Sequence, residues 1–216
     1  MSEPGAAPCA VRSATSADLP ALAGLAGLSE STRRSLERDL ARAEVADTRA
    51  PVVLVAVRDH TEVVGAGLGL LQHDEGHVLD LAVAPGHRRL GVGTVLLRAL
   101  LDELLARGAR AVTLEVRAGN LGAQGLYRAE GFTVEGRRPG YYPGGGEGAH
   151  GAEATGGSEA TGGPGAPVAS VASVAPGTPG TPGGPGAEDA VLMWWRPRIT
   201  AGGTAAPTHH GTRTGG

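Results

Sequence analysis

Several residue types are missing or scarce in this chain of 216 residues, and each shortage excludes a class of protein. All 19 basic residues are arginine, so no lysine is available for a Schiff base, a pyridoxal-phosphate enzyme or a P-loop NTPase. Cys9 is the single cysteine, which excludes an internal disulfide and a cysteine-rich zinc site. The formal net charge of −3 does not indicate a nucleic-acid-binding protein.

The sequence also lacks the usual signals for membranes and secretion. No apolar stretch reaches the roughly 20 residues that a membrane span needs. The first ten residues, MSEPGAAPCA, contain no basic region followed by an apolar one. A lone thiol fits a reducing compartment. We therefore expect a cytoplasmic monomer that binds neither a membrane nor nucleic acid directly.

Glycine and proline are abundant, with 37 and 15 residues, and their distribution divides the chain. Residues 144–187 are mainly glycine, alanine and proline, and valine is the only larger apolar residue among them. Such a segment buries too little apolar surface to offset its backbone entropy. We predict a disordered insert at 144–187, a disordered tail at 198–216, and one folded domain made of residues 8–143 and 188–197.

Periodicity within the folded part predicts an α/β (α+β) protein whose elements follow the order β-α-α-β-β-β-α-β-α-β-β, a mixed sheet with helices on both faces. The last strand returns after the insert. The predicted strands are Cys9–Arg12, Val52–Val57, Val63–Gln72, Val78–Val83, Ala111–Val116, Thr133–Arg138 and Ala190–Trp195. The predicted helices are one ending near Ala26, then about Ser31–Glu44, Val92–Arg107 and Leu121–Glu130. The strongest helix has an apolar face of Val92, Val95, Leu96, Ala99, Leu100 and Leu104.

Two glycine patterns suggest close backbone packing. The segment Arg88–Gly93 (RRLGVG) lies between a strand and the strongest helix, where free N–H groups and two glycines suit a phosphate. An ordinary glycine-rich turn with two solvated arginines is the alternative. Gly65, Gly67 and Gly69 alternate within a strand and therefore face one way, which favours close packing under a helix or a ligand.

Three further residues could carry chemistry. Glu115 lies in a strand between apolar neighbours and could act as a base if it is partly desolvated. Tyr127, on the following helix, could donate a proton. Asn120, the only asparagine, could orient a ligand, although a helix N-cap is the favoured reading. Without further context, a solvated glutamate and a half-buried tyrosine remain the simpler interpretation.

The histidines and the cysteine give weaker signals. His73 and His77 have the spacing of metal ligands, but Gly76 between the flanking strands predicts an exposed polar turn instead. Cys9, near the first strand, is expected to be a small core residue rather than a nucleophile.

Five sequence blocks together resemble the GCN5-related N-acetyltransferase (GNAT) family. The segment Arg88–Gly93 matches the acetyl-CoA motif R/Q-x-x-G-x-G/A of that family. The other four blocks are Leu114–Asn120 (LEVRAGN), Leu126–Phe132 (LYRAEGF), Arg138–Pro143 (RPGYYP) and Glu188–Met193 (EDAVLM). They are most similar to the bacterial branch that acetylates the N-terminal alanine of ribosomal proteins.

This resemblance implies a GNAT fold with a mostly antiparallel sheet, and direct acetyl transfer from acetyl-CoA to a protein N-terminus, with no metal. Glu115 matches the family's general base and Tyr127 its general acid. The resemblance assigns to acetyl-CoA the strand residues Leu81, Ala82 and Val83, the loop and helix residues Arg88, Arg89, Leu90, Gly91, Val92, Gly93 and Thr94, and Asn120. It assigns to the peptide acceptor, possibly a ribosomal protein, Arg138, Tyr141 and Tyr142.

One departure from the family keeps other functions open. The family usually has a Pro-Trp-(Ser/Thr) sequence before its second helix, and Ser31 stands here in place of the tryptophan. An acetyltransferase for a small amine or an antibiotic is therefore an alternative. A non-enzymatic module that binds acyl-CoA is a third, although the presence of Glu115 and Tyr127 argues against it.

Overall fold

The computed structural model describes residues 9–44, 50–142 and 187–197. Seven strands and four helices lie within these ranges, in the predicted order. The strands are β1 (Ala10–Ser13), β2 (Val52–Arg58), β3 (Glu62–Gln72), β4 (Glu75–Val83), β5 (Ala111–Arg117), β6 (Thr133–Tyr142) and β7 (Glu188–Trp195). The helices are α1 (Leu19–Gly24), α2 (Glu30–Glu44), α3 (Val92–Ala106) and α4 (Leu121–Ala129), with single 3-10 turns at Ser16–Asp18 and Pro85–His87.

Polar side chains cap the 3-10 turn that precedes α1 and the first turn of α2. Asp18 accepts a hydrogen bond from the backbone N–H of Thr15 at 2.8 Å and a bidentate pair from Arg12 at 2.7 and 2.8 Å. Ser29 precedes α2, and its hydroxyl oxygen accepts the N–H of Thr32 at 3.2 Å. Such caps satisfy N–H groups that have no partner within a helix.

The strands form one sheet in the order β1-β2-β3-β4-β5-β7-β6. Only the β4–β5 pair is parallel, so the sheet is mixed and mostly antiparallel, as the resemblance implied. The last strand, β7, lies between β5 and β6 and pairs with both. Tyr142 and Glu188, the strand residues that flank residues 143–186 in the sequence, pair with each other.

Each face of the sheet is covered by a separate apolar cluster. On one face the leucines of α3 pack with β5, β7 and Tyr127 of α4. On the other face, Leu22 of α1 and Leu36 and Leu40 of α2 pack against alternate valines of β2. Helices thus lie on both faces, which confirms the predicted fold class.

The alternating glycines of β3 lie directly under α3. A Cβ atom on Gly65 would lie 2.9 Å from Leu96 Cδ1, one on Gly67 would lie 2.7 Å from Leu100 Cδ1, and one on Gly69 would lie 3.3 Å from Leu104 Cδ1. The prediction of close packing under a helix is confirmed.

The predicted apolar face of α3 is wrong in part. Val95 is 43% exposed, whereas Leu97 and Leu101 are buried. Both leucines belong to the cluster that includes Met193 and Trp195. A helix that lies on a broad sheet buries a wider arc than a narrow stripe of every third or fourth residue.

The predicted turn at Gly76 is also wrong. The hairpin turns at His73 and Asp74, since Gln72 already pairs with Glu75, and Gly76 lies inside β4. A Cβ there would approach Val112 Cγ2 to 3.1 Å, so glycine is required by packing rather than by a turn. His77 is consequently a strand residue whose side chain is only 14% exposed, and not part of an exposed hairpin tip.

Several predictions concern residues that the structure does not describe. The insert at 144–187 and the tail at 198–216 fall almost wholly on residues that the structure does not describe, so the predicted domain limits stay predictions. No helix in the described part of the chain is long and apolar enough to cross a membrane.

Candidate active site

The centre of the sheet opens between its two parallel strands. β4 pairs with β5 only as far as Val78 and Leu114, although β4 continues to Val83 and β5 to Arg117. A register shift leaves Leu79 as an extra residue in β4 opposite β3, and bulges of this kind bend a strand. Among the described residues, the last residues of β4 pair with β3 alone, so their other edge can accept an extended ligand.

The loop after β4 joins this open edge to α3. The guanidinium of Arg88 donates to the carbonyl of Val83 at 3.0 Å and so ties the loop back to the strand. Arg89 and Gly91 have left-handed backbones, with φ of 64° and 82°. Gly91 precedes α3, whose first N–H groups lack intrahelical acceptors and suit an anion.

Gly93 has a packing role in the first turn of α3. A Cβ at this position would lie 3.3 Å from Leu126 Cδ2 of α4 and 3.7 Å from Val83 Cγ2 of β4. The glycine therefore lets α3 approach α4 closely. This role is independent of any phosphate and was not apparent from the motif.

Glu115 lies on β5 beyond the last pair with β4. Its side chain is 14% exposed, and its Oε1 lies 3.0 Å from Nη1 of Arg138. This contact is an ion pair without hydrogen-bond geometry, so the buried Oε1 has no hydrogen-bond donor in the described part of the chain. A shielded carboxylate whose oxygen accepts no hydrogen bond can accept a proton from a ligand.

Two tyrosines at the end of β6 surround this carboxylate. The rings of Tyr141 and Tyr142 meet edge to face, with centroids 5.0 Å apart. Burial, followed by the nearby Glu115 carboxylate, raises the pKa of both, and that of Tyr142 reaches about 12. Arg138 lies 5.4 Å from the Tyr141 ring. The three predicted acceptor-binding residues are thus brought together around Glu115.

Tyr127 lies on the inner side of α4 and is buried. Burial raises the pKa of its hydroxyl far above the ordinary value, and the negative charge of Asp80 and the neighbouring Tyr142 add to the effect. The phenol is therefore protonated at neutral pH. It can donate a proton but cannot act as a base.

Asn120 is the N-cap of α4. Its Oδ1 accepts the N–H of Ala123 at 3.1 Å, which confirms the favoured capping interpretation. A contact with acetyl-CoA through the same residue stays a prediction.

Three charged groups of the site were missed in the sequence. Asp80, the one carboxylate within an otherwise apolar stretch of β4, accepts from the N–H of Ser29 at 2.8 Å and from the hydroxyl of Thr32 at 2.8 Å. Arg117 stacks over Tyr142, with its Cζ 4.1 Å from the ring, and pairs with Glu188 at 3.2 Å. The polar residue in VLDLAV was the available signal for Asp80, whereas the pair with Glu188 depends on the position of β7.

Metal chemistry has no evident place within residues 9–44, 50–142 and 187–197. No three histidine, cysteine, aspartate or glutamate side chains converge there as metal ligands would. Cys9 is a partly buried free thiol that packs against the apolar cluster under α3.

Comparison with known proteins identifies relatives of this chain. The model of the acetyltransferase (GNAT) family matches residues 22–132. The ribosomal protein bS18 alanine N-acetyltransferase of Escherichia coli is 44% identical over 70 residues, which are 32% of this chain and 47% of that protein. A putative enzyme of the same name from Bacillus subtilis is 36% identical over 76 residues, which are 35% of this chain and 50% of that protein. The chain thus spans about half the length of the curated relatives it matches.

Solved structures support the fold. A crystal structure of the ribosomal-protein alanine N-acetyltransferase from Escherichia coli has a TM-score of 0.62 and 22% identity, and the match covers 90% of this chain and 97% of that chain. Nourseothricin acetyltransferase has a TM-score of 0.56 and 19% identity, over 87% and 98% of the two chains. At these identities the likeness establishes the fold alone.

Proposed function

Since this chain belongs to the acetyltransferase (GNAT) family, we propose that it transfers an acetyl group from acetyl-CoA to the N-terminal α-amine of a protein in the cytoplasm. The observation that carries the proposal is the pair of proton-transfer groups beside the open edge of β4. Glu115 is a shielded carboxylate that is paired with Arg138 but accepts no hydrogen bond at Oε1, and Tyr127 is a phenol held in its protonated form.

The open edge of β4 and the loop after it suit acetyl-CoA. Backbone groups of Leu81, Ala82 and Val83 lack a β5 partner and can hydrogen-bond the pantetheine arm. The loop Arg88–Gly93 and the N–H of Thr94 then face the pyrophosphate at the N-terminus of α3. Because Arg88 already donates to Val83, Arg89 is the arginine of the loop that remains available to the phosphates.

Proton transfer then follows from the two side chains. An α-ammonium has an ordinary pKa of about 7.7–8.0, so a modest base converts it to the reactive amine. Glu115 accepts that proton, and the amine attacks the thioester carbonyl directly. Tyr127 donates its proton to the departing thiolate sulfur, and the second proton lost by the attacking nitrogen restores the phenol. Cys9 packs beneath the sheet and takes no part, so no acetyl-cysteine forms.

The acceptor is most consistent with a peptide N-terminus. Tyr141 and Tyr142 offer flat surfaces beside Glu115, and Arg138 can hydrogen-bond a peptide carbonyl. The curated relatives are named as alanine N-acetyltransferases of ribosomal protein bS18. We propose the same class of acceptor, an N-terminal alanine of a ribosomal protein.

A small amine is the second candidate because of the first turn of α2. Where the family usually has a tryptophan, Ser31 is exposed and its hydroxyl lies 3.0 Å from that of Ser29. A site lined by the hydroxyl groups of Ser29 and Ser31 suits a polar amine better than a site lined by an aromatic ring. Competition between peptides and small polyamines as acceptors distinguishes the two candidates.

The test of the proposed function is a pH–rate profile of two variants with a peptide that begins with alanine. Glu115→Gln keeps the shape and removes the base, so turnover should fall by roughly 10²–10⁴. Part of the loss should return at high pH, where more of the amine is already neutral. Tyr127→Phe should also lose turnover, but high pH should not restore it.

The matched control is Glu103→Gln, the same change on the solvent-exposed face of α3. Glu103 pairs there with Arg107, and its side chain is 43% exposed. This variant should keep full activity. A peptide blocked at its N-terminus should not react. If Glu115→Gln turned over as fast as the wild type at neutral pH, Glu115 would not be the base.

A further inference from the structure

His77 is a shielded titratable group that the mechanism above leaves unused. It lies on β4, its ring is 14% exposed, and its Nε2 is 3.5 Å from Oε1 of Glu75. On β5 it is paired with Thr113, two residues before Glu115. The two strands therefore bring an imidazole next to the proposed base.

His77 and Glu115 lie on the same face of the sheet. Paired residues of neighbouring strands point to the same side, and so do residues two apart on one strand. His77 lies one residue before the last β4–β5 pair and Glu115 one residue after it, so the two side chains are neighbours across the two strands where these begin to separate. The charge of Glu115 acts on the His77 ring, as expected for such neighbours.

The surroundings of His77 keep its ring neutral. Burial lowers its pKa, and the opposing charges are Glu75 on its own strand and Glu115 on β5. On the other side, β3 contributes the apolar Leu70 as its paired residue. A neutral imidazole has one ring nitrogen that can accept a proton and one that can donate a proton, so His77 can pass on a proton received from Glu115.

We propose that His77 receives from Glu115, directly or through one water molecule, the proton that the acceptor ammonium gives up, and delivers it past Glu75 to solvent. The N–H bond of the ammonium breaks as an O–H bond forms on Glu115. That O–H bond breaks as one ring nitrogen of His77 is protonated, and the other nitrogen, Nε2, releases its proton toward Glu75. One proton moves from acceptor to solvent, and no other reactant is consumed. The inference rests on the proposed acetyl transfer.

The kinetic test compares His77→Gln with His73→Gln, the same change at the tip of the same hairpin. With an alanine peptide and acetyl-CoA, His77→Gln should lower kcat about tenfold at neutral pH, at the low end of acid–base effects. Both KM values should stay within about twofold, because His77 binds neither substrate. Added imidazole should raise the kcat of His77→Gln with concentration and leave the wild type unchanged, and His73→Gln should match the wild type.

The outcomes separate this inference from the proposed function. An active wild type with an equally active His77→Gln, from acid to alkaline pH, would overturn the role of His77 alone. A wild type that acetylates no amine would overturn the proposed function and the inference with it. A loss in His77→Gln that imidazole does not relieve would indicate a structural role and would also overturn the proton transfer.

A second measurement leaves His77 in place and needs no turnover. The imidazole of His77 is titrated by NMR in the wild type and in Glu115→Gln. Because the Glu115 carboxylate favours the charged ring, its removal should lower the pKa of His77. An unchanged titration would mean that the two groups do not interact, and the proposal would be wrong.

Discussion

Replacing Gly67 with alanine is expected to destabilise the protein. Gly67 faces α3, and an added Cβ would lie 2.7 Å from Leu100 Cδ1 and 3.3 Å from its Cγ. Leu100 is fully buried, so its side chain cannot swing into solvent. Either Leu100 leaves its preferred rotamer or α3 moves away from β3.

The expected loss follows from two opposing terms. Overfilling a packed core costs about 1–3 kcal/mol. Restricting the unfolded chain by a Gly-to-Ala change returns about 0.4–1 kcal/mol where the backbone conformation allows alanine. The net loss is about 1–2 kcal/mol of unfolding free energy, or a fall in Tm of about 2–8 °C.

The assay is thermal and urea unfolding of Gly67→Ala beside Gly125→Ala. Gly125 lies inside α4, and an added Cβ there would have no atom within 4 Å. Alanine is preferred over glycine in a helix by about 0.5–1 kcal/mol, so this control should raise the Tm. The same chemical change thus has opposite signs at the two sites. A Gly67→Ala protein as stable as the wild type would refute the packing of α3 on β3.

Two other predictions concern the caps and the loop. The hydrogen bonds from Arg12 and Thr15 hold the pKa of Asp18 down at about 2. Their contribution to the free energy of unfolding is therefore present above the ordinary aspartate pKa of 3.8 and is lost as pH falls through about 2. In urea unfolding, Asp18→Asn should lower the free energy of unfolding by about 1–2 kcal/mol at pH 7, a figure reduced because Arg12 is half-exposed. Near pH 2 the same change should cost almost nothing, and an equal cost at both pH values would contradict this prediction. Gly91→Val forces a β-branched residue into a left-handed backbone, which costs about 1–2 kcal/mol, and should weaken acetyl-CoA binding about tenfold or more in calorimetry. Gly86→Ala, an exposed glycine with ordinary φ, should bind normally, and unchanged affinity in Gly91→Val would remove this loop from the cofactor site.

Local patterns were sufficient to predict the elements and the role of the β3 glycines. The period of two at Gly65, Gly67 and Gly69 and the period near four at Leu96, Leu100 and Leu104 each reveal one face of an element. The glycine face of β3 and the leucine face of α3 come into contact as soon as α3 packs across β3. The prediction for Gly76 is wrong because the residues that require a glycine there, Leu104 and Val112, come from later in the chain.

The arrangement of the site could be predicted only in part. Motif resemblance singled out Glu115, Tyr127 and the residues at the end of β6, but not which strand lies beside which. The insertion of β7 between β5 and β6 brings Arg138 to Glu115 and Glu188 to Arg117. Strand order is a long-range property, and no local period in the sequence reports it.

The opening between β4 and β5 would let the two proposed substrates meet there from opposite faces of the sheet. The bulge at Leu79 turns the strand, so Leu81 and Val83 pack toward α3, while Asp80 faces the first turn of α2. With acetyl-CoA at the proposed site at the start of α3, the cofactor would approach from the α3 face, and the acceptor amine from the face that carries Glu115 and His77. On that arrangement the proton leaves along the acceptor face without crossing the thioester. A His77 variant should then slow turnover without changing acetyl-CoA affinity. Gly91→Val should instead weaken acetyl-CoA binding without slowing turnover, because on this arrangement the sheet separates cofactor binding from proton removal.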